Sequence, residues 1–533
     1  MNKIKLLDCT LRDGGYLNDW EFGYETIINI YQRLVSSRVE VIEVGFINDT
    51  REFDQNRCIM PDTNSVNRMF GHMEKGQSQV VGMIDYGTCD LANVQPCADC
   101  YLDGIRVIFK EEVLEEALEY CRAIKSLGYE VYVQLVSVTS YTSERLQELI
   151  VLVNEFEPYA VSMVDTYGLL HQENLVEILE RLDRDLLPSI ALGYHAHNNF
   201  QMGYANGISV LASKVNRTLL IDGTLYGMGK SAGNTPLELL GMHLNECYGK
   251  SYDIGQMLEA IDTSILEIQR TVQWGYNLFY YIAASTKCHP NYVSFFMNKR
   301  TLSMKAINEL LLTIDEDKKL LYDQKHAEAQ YLAYQKHACN DEQDRKHLQE
   351  RLQGKSILVL GPGNTMKEQT EMVEACAAEA EIIIAINYIP IEYEVDYMFL
   401  TNAKRYVQMG DEGRSSNGKT VEVIATSNVV KTQGKFPYTL NYERLIDEST
   451  DIPDNSFVML LKVLMEAEVS KVYLAGFDGY SETKMNYFNT NMEYSFAKDK
   501  AHYLNEYVSA FLTNEARELS YEFVTDTCYE LTM

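Results

Sequence analysis

Two histidines one residue apart, in His195-Ala196-His197-Asn198-Asn199, carry the clearest chemical signal in this 533-residue sequence. On extended backbone, residues i and i+2 share a face, so both imidazoles can reach one ion. Near the amino terminus Asp13 stands beside Arg12, directly after an apolar run and directly before Gly14 and Gly15, which permit close backbone approach. One carboxylate and two imidazoles suit Mn2+, Mg2+ or Zn2+, with the remaining positions open to substrate or water. An ion held that way is a Lewis acid for a carbonyl oxygen.

Residues so far apart in the chain meet only if the fold brings them together. Eight short apolar, β-branched runs occur at 4–8, 39–46, 80–84, 105–109, 131–136, 160–165, 190–195 and 219–222. Runs this apolar suit strands covered on both faces. Helical patterns lie between them, for example over 114–127 and 144–156. Alternating strand and helix implies parallel pairing, and eight repeats imply a closed (β/α)8 barrel, with a doubly wound open sheet as the alternative. Asp8, Asp85, Asp165, His195 and Asp222 end runs, Gln134 lies near the end of one, and Glu43 lies within one. Barrel enzymes build their sites from the carboxyl ends of strands.

Beyond about residue 252 the pattern becomes helical, and 315–352 reads as a long charged helix or helix pair. A second α/β fold starts near Lys355. It has strands expected at 356–360, 382–386, 397–400, 421–425 and 471–475, and a helix over 368–379. The expected division is a barrel over 1–285, a helical linker over 286–353 and a Rossmann-like α/β domain over 354–533. In the last, Gly361-Pro362-Gly363-Asn364-Thr365 follows a strand and can hold an anion on backbone amides. It is neither a complete dinucleotide fingerprint nor a P-loop.

Lys plus Arg total 47 against 77 Asp plus Glu, a formal charge of −30. That balance argues against nucleic acid as a partner, because phosphate binding needs a cationic face. It leaves room for a small anionic substrate bound by a local Arg and a metal ion. No leader-like segment opens the chain and no apolar run approaches the ~20 residues that span a bilayer. Eleven scattered cysteines suggest reduced thiols and a cytoplasmic location. Cys97 and Cys100 have C-x-x-C spacing but no second pair at zinc-site distance.

Taken in order, Leu7-Asp8-Cys9-Thr10-Leu11-Arg12-Asp13-Gly14-Gly15, Glu43-Val44-Gly45, His195-Ala196-His197-Asn198-Asn199 and Asp222-Gly223-Thr224 through Gly233-Asn234 resemble the DRE-TIM metallolyase superfamily. That group includes 3-hydroxy-3-methylglutaryl-CoA lyase, 2-isopropylmalate synthase and 4-hydroxy-2-oxovalerate aldolase. The resemblance implies that Asp13, His195 and His197 ligate the metal, with Asn234 ligating or supporting it. It implies that Arg12 stabilises an enolate and that Glu43 orients Arg12. Substrate contacts are expected at Gln134, Asp165, Thr166 and Asn199. The aldolase branch carries a base histidine three residues after the metal Asp, where this chain has Tyr16. The base is therefore open among Tyr16, Asp165, Tyr280 and water. The implied activity is an aldolase acting on a 2-oxo acid through a pyruvate enolate, in a homo-oligomer. An acyl-CoA lyase or Claisen-type synthase is one alternative, and a non-catalytic scaffold in a glycan or nucleotide-sugar pathway is another. The carboxyl-terminal segments Asp396 to Asn402 and Ala475 to Tyr480 are similar to a Rossmann-like family of 6-hydroxymethylpterin diphosphokinase-like proteins and relatives near bacterial sialyltransferases, which implies a bound nucleotide.

Overall fold

The computed structural model describes residues 3–299, 302–320, 322–336, 339–409, 415–416, 419–429, 436–447, 449–450, 452–489, 492–493 and 495–529. The chain divides into two compact units, Met1–Ser285 and Thr286–Met533.

In the first unit, eight parallel strands close on themselves: β1 (Ile4–Asp8), β2 (Val41–Ile47), β3 (Gln79–Asp85), β4 (Gly104–Phe109), β5 (Glu130–Leu135), β6 (Ala160–Asp165), β7 (Ala191–Ala196) and β8 (Leu219–Gly223). Pairing runs in sequence order, and β1 bonds to both β2 and β8, which closes the barrel. The closed barrel is the expected form, and the open doubly wound alternative is excluded for this unit. A two-residue strand, Ile59–Met60, adds to the edge of β2.

The period of two along each strand sorts the side chains. Ile42, Ile105, Val131, Leu192 and Ile221 pack outward against the helices, while Val41, Val81, Tyr132, Ala191 and Leu220 form a separate inner cluster. Continuing the inner parity toward the carboxyl ends puts Glu43, Arg106, Gln134, His195 and Asp222 inside the barrel. The outer ring forms for ordinary reasons. In the helix Tyr24–Ser36, Ile27, Ile30, Tyr31 and Leu34 recur at three- and four-residue spacing and are buried. Asp62 caps the helix Thr63–Phe70 through Ser65 N, and Thr142 caps Ser143–Phe156 through Arg145 N. Between β3 and β4 the described chain makes only short 3-10 turns, Leu91–Asn93 and Cys97–Asp99, instead of an α-helix.

In the second unit, the segment expected as a long helix or helix pair contains Gln324–Gln335 and Glu342–Leu352, with residues 321, 337 and 338 outside the described set. Seven parallel strands follow: β9 (Ser356–Leu360), β10 (Ile382–Ile386), β11 (Tyr397–Leu400), β12 (Glu422–Thr426), β13 (Tyr438–Leu440), β14 (Lys471–Ala475) and β15 (Tyr521–Phe523). Their spatial order is β13-β12-β11-β10-β9-β14-β15, so the direction of winding reverses between β9 and β14. Alternate residues feed two cores, one holding Ile357, Val359, Ile384 and Phe399, the other Leu358, Leu360, Ala385 and Met398. Both faces of this sheet are therefore covered, as parallel sheets require.

No described helix is long and apolar enough to cross a membrane. All eleven cysteines are free.

Candidate active site

Immediately after β1 the chain turns through one helical turn, Thr10–Asp13, which delivers Arg12 and Asp13 to the carboxyl mouth of the barrel, both buried. His195 points inward from β7, and His197 follows two residues later on the same side, bridged to Asn234. Asp13, His195 and His197 offer ligand atoms that all lie within 4.8 Å of one another. His195 Nε2 is 3.6 Å and His197 Nε2 4.0 Å from Asp13 Oδ2. The three sequence-expected ligands therefore converge.

Hydrogen bonds on the far side of each ring aim these atoms. His197 Nδ1 lies 3.1 Å from the carbonyl oxygen of Lys230, which can only accept, so Nδ1 carries the proton and Nε2 is the free lone pair. His195 Nδ1 lies 3.1 Å from Asp222 Oδ2 and is oriented in the same sense. Such partners fix the tautomer of a ligating histidine and raise its basicity. Asn234 donates from Nδ2 to Asp13 Oδ1 at 2.8 Å, while its own buried Oδ1 has no partner among the described residues. An orphaned buried carbonyl oxygen beside a carboxylate and two free imidazole lone pairs is the donor set that a divalent cation takes.

The charges are arranged to match. Burial pushes the Asp13 carboxyl up, but Arg12 and then the two histidines outweigh it and hold it well below the usual range. Burial drives His197 down to about 4, so it is neutral at physiological pH. Burial also opposes the charge on His195, and there Asp13 and Asp222 reverse the direction.

Arg12 donates from Nε to Glu43 Oε2 at 2.7 Å and from Nη1 to Asp13. Nη2 makes no hydrogen bond to a described residue, and Arg12 lines the cavity. Glu43 therefore stands where the sequence reading expected an orienting carboxylate. Two residues that the reading did not assign complete the network. Arg106, fully buried, donates from Nη1 to Glu43 at 3.0 Å, from Nη2 to Gln134 Oε1 at 2.9 Å and also to Asp222. Asp222 joins Arg106 to His195. The signal was present in the sequence: a lone Arg inside an apolar run of a two-sided strand has no solvent to reach, and so must be paired within the barrel.

The cavity, of about 90 Å³, is lined by the polar side chains of Arg12, Asp13, Tyr16, Gln134, Thr166, His195, His197 and Lys230 and by the apolar ones of Met83, Ile108, Val136 and Val164. Thr166 Oγ1 accepts from Ser137 N at 2.8 Å. The other expected site residues lie elsewhere. Asn199 bridges Tyr167 O and Ala232 N and braces two loops without lining the cavity. Asp165 accepts from Leu169 N and Leu170 N at 2.8 and 3.0 Å, so it holds the turn after β6. Burial raises its carboxyl to about 6. Tyr280, in the helix Leu278–Ser285, is outside the lining. Burial lifts the Tyr16 phenol to about 12, which opposes its use as an unassisted base.

The loop over 361–365 in the second unit differs from expectation. Gly361 N donates to Ala475 O at 2.8 Å, Gly363 N to Gly476 O at 2.9 Å, and Thr365 N to Asp478 Oδ2 at 3.1 Å. A carboxylate of the chain already takes the position where an external anion was expected.

A parallel (β/α)8 barrel with an acid, two aimed imidazoles and an arginine at its carboxyl mouth defines an enzyme of the carbon–carbon lyase and aldolase type. The HMGL-like family model matches residues 3–270, and the chain belongs to that family. It is 25% identical over 272 residues to 4-hydroxy-2-oxovalerate aldolase 2 of Salinispora arenicola, covering 49% of this chain and 74% of that one. It is equally 25% identical over 254 residues to 2-isopropylmalate synthase of Sulfolobus acidocaldarius, covering 48% and 64%. Among solved structures, the N-terminal domain of a putative aldolase from Bacteroides vulgatus matches with a TM-score of 0.48 and 23% identity, over 57% of this chain and 99% of that one.

Proposed function

We propose that the barrel is a divalent-metal-dependent aldolase that breaks, and in reverse forms, the carbon–carbon bond of a 4-hydroxy-2-oxo acid, giving pyruvate and an aldehyde. The observation that carries this reading is the meeting of Asp13 with two tautomer-fixed imidazoles beside the unpartnered Nη2 of Arg12. Asp13, His195 and His197 would hold the ion, Mn2+ or Mg2+ before Zn2+, with Asn234 Oδ1 beside them. Bound there, it supplies Lewis-acid polarisation of the 2-oxo oxygen. Arg12 meets the negative charge that develops on that oxygen as the bond breaks, and Glu43 keeps the guanidinium from turning away. Gln134 and Thr166 position the substrate carboxylate. Asn199 contributes by bracing the loops. Tyr16 is the only candidate base that lines the cavity. With its phenol near 12, it orients the 4-hydroxyl, whose proton leaves to water at the mouth.

The test is pyruvate release from a 4-hydroxy-2-oxo acid by the full chain. Activity is expected to disappear in EDTA and to return with Mn2+ or Mg2+; turnover untouched by chelation would rule the metal role out. The similarity to a 2-isopropylmalate synthase favours Claisen-type acyl transfer as the second reading, and saturable acetyl-CoA binding together with absent aldolase activity would select it.

For the second unit, a nucleotide is the proposed ligand. In open parallel sheets ligands bind where the winding reverses, beyond the carboxyl ends of the strands. A cavity of about 150 Å³ lies there, lined by Gly363, Asn387, Arg405, Asn455 and Phe477. The proposed compartment is the cytoplasm, with which eleven free thiols accord.

A further inference from the structure

Lys230 lies in the loop after β8, and both of its backbone groups are fixed on candidate metal ligands. Its N–H donates to Asp13 Oδ1 at 2.9 Å, and its carbonyl accepts from His197 Nδ1 at 3.1 Å. The side chain therefore starts from a rigid anchor and lines the same cavity as Arg12 and His195. Its ammonium stands 5.1 Å from the centre of the Tyr16 ring. It makes no hydrogen bond or ion pair with a described residue. The other cations of the site differ: Arg12 is matched by Glu43 and Asp13, and Arg106 by Glu43 and Asp222.

The charge balance gives this unpaired ammonium a role. Arg12 and Arg106 set against Asp13, Glu43 and Asp222 leave that ion-pair network with a single negative charge. A divalent ion turns that into a single positive charge, which the carboxylate of a simple 2-oxo acid neutralises. Lys230, whose charge is felt by Asp85 beside that of Lys110, lines the same cavity as Met83, Ile108 and Val136 and has no hydrogen-bonded counter-charge there. From this geometry, and resting on the aldolase reading above, we infer that Lys230 selects substrates whose far end carries a second carboxylate. The small cavity suits a short-chain dicarboxylic 2-oxo acid. The ammonium is a mobile point charge and does not demand a fixed bidentate geometry, which fits a group reached at the end of a flexible chain.

The test is calorimetry on the Mn2+-loaded full chain with two probes of similar shape. One is 2-oxoglutarate, and the other is 2-oxopentanoate, which has a methyl group where the former has its far carboxylate. Expected is binding of both, with the dicarboxylate tighter by about tenfold, the scale of one charge-assisted contact. Lys230→Met should remove that preference without changing the affinity for 2-oxopentanoate, and Lys230→Arg should restore part of it. Equal affinity for both probes in the native chain, or equal weakening of both in Lys230→Met, overturns the inference and leaves the aldolase reading intact. Failure of both probes to bind the native chain would overturn that reading and this one together, and binding of 2-oxopentanoate alone would overturn only this one.

Discussion

Burial drives His197 down to about 4, while the equally buried His195 is held up by Asp13 and Asp222. The difference traces first to the closer approach of Asp13 to His195 and then to Asp222, whose Oδ2 serves both His195 Nδ1 and Arg106. Burial raises the Asp222 carboxyl, but Arg106 and then His195 overcome that and keep it ionised. Asp222→Asn is therefore expected to have two separable effects. Divalent-metal affinity should fall by about 10–100-fold as the His195 tautomer loosens. Stability in urea should fall by on the order of 3 kcal/mol as Arg106 loses a buried counter-charge. A variant with normal metal affinity would remove Asp222 from the site. At this scale much was legible in the sequence. The convergence of Asp13, His195 and His197 was readable because the two histidines share a face of extended chain and the acid follows the first strand. The base was not, because its assignment depends on surroundings that only the fold supplies: Asp165 is tied to backbone amides, and partial desolvation at the mouth raises the phenol of Tyr16, which stays partly exposed.

The loop over 227–234 is the element on which the site most depends. It supplies Asn234, carries Lys230 across both candidate ligands, and returns through Gly233 at a positive φ of 83°. At Gly229 any Cβ would overlap Asn234 Nδ2 and come within 2.6 Å of Asp13 Oδ1. Gly229→Ala should thus displace the Asp13–Asn234 contact and weaken metal binding. The barrel core is untouched, so the thermal midpoint should move only slightly. Unchanged metal affinity in that variant would show that the loop can yield. The strands themselves were readable, because apolar runs at regular intervals have few alternatives in a closed parallel barrel. The connection between β3 and β4 was less so: Leu91–Asn93 and Cys97–Asp99 form isolated turns where a regular barrel would place a helix. The expected anion loop at 361–365 also could not be judged locally, since Asp478, which occupies it, comes from a distant segment.

Across the molecule, the family match ends at residue 270 and the first compact unit at Ser285, so the assignment of activity concerns that unit. Five strands of the second unit's sheet were legible as alternating strands and helices, while the three-residue edge strands β13 and β15 were too short to leave a pattern. The sheet's order, β13-β12-β11-β10-β9-β14-β15, was not legible, because strand order depends on long crossovers that leave no local pattern. The reversal between β9 and β14 is where a ligand is proposed. Calorimetry of the full chain with nucleoside mono- and diphosphates should give saturable binding that Arg405→Ala weakens, whereas absence of heat with all of them would remove the nucleotide proposal.

The convergence of Asp13, His195 and His197 on one ion is tested most directly by titrating metal-free protein with Mn2+ and following the free ion by electron paramagnetic resonance. One Mn2+ per chain is expected, with at least tenfold weaker binding in Asp13→Asn and in His195→Ala, and little change in their secondary structure. Stoichiometric binding that survives both substitutions unchanged, or no binding by the native chain, would contradict a metal centre at the mouth of this barrel.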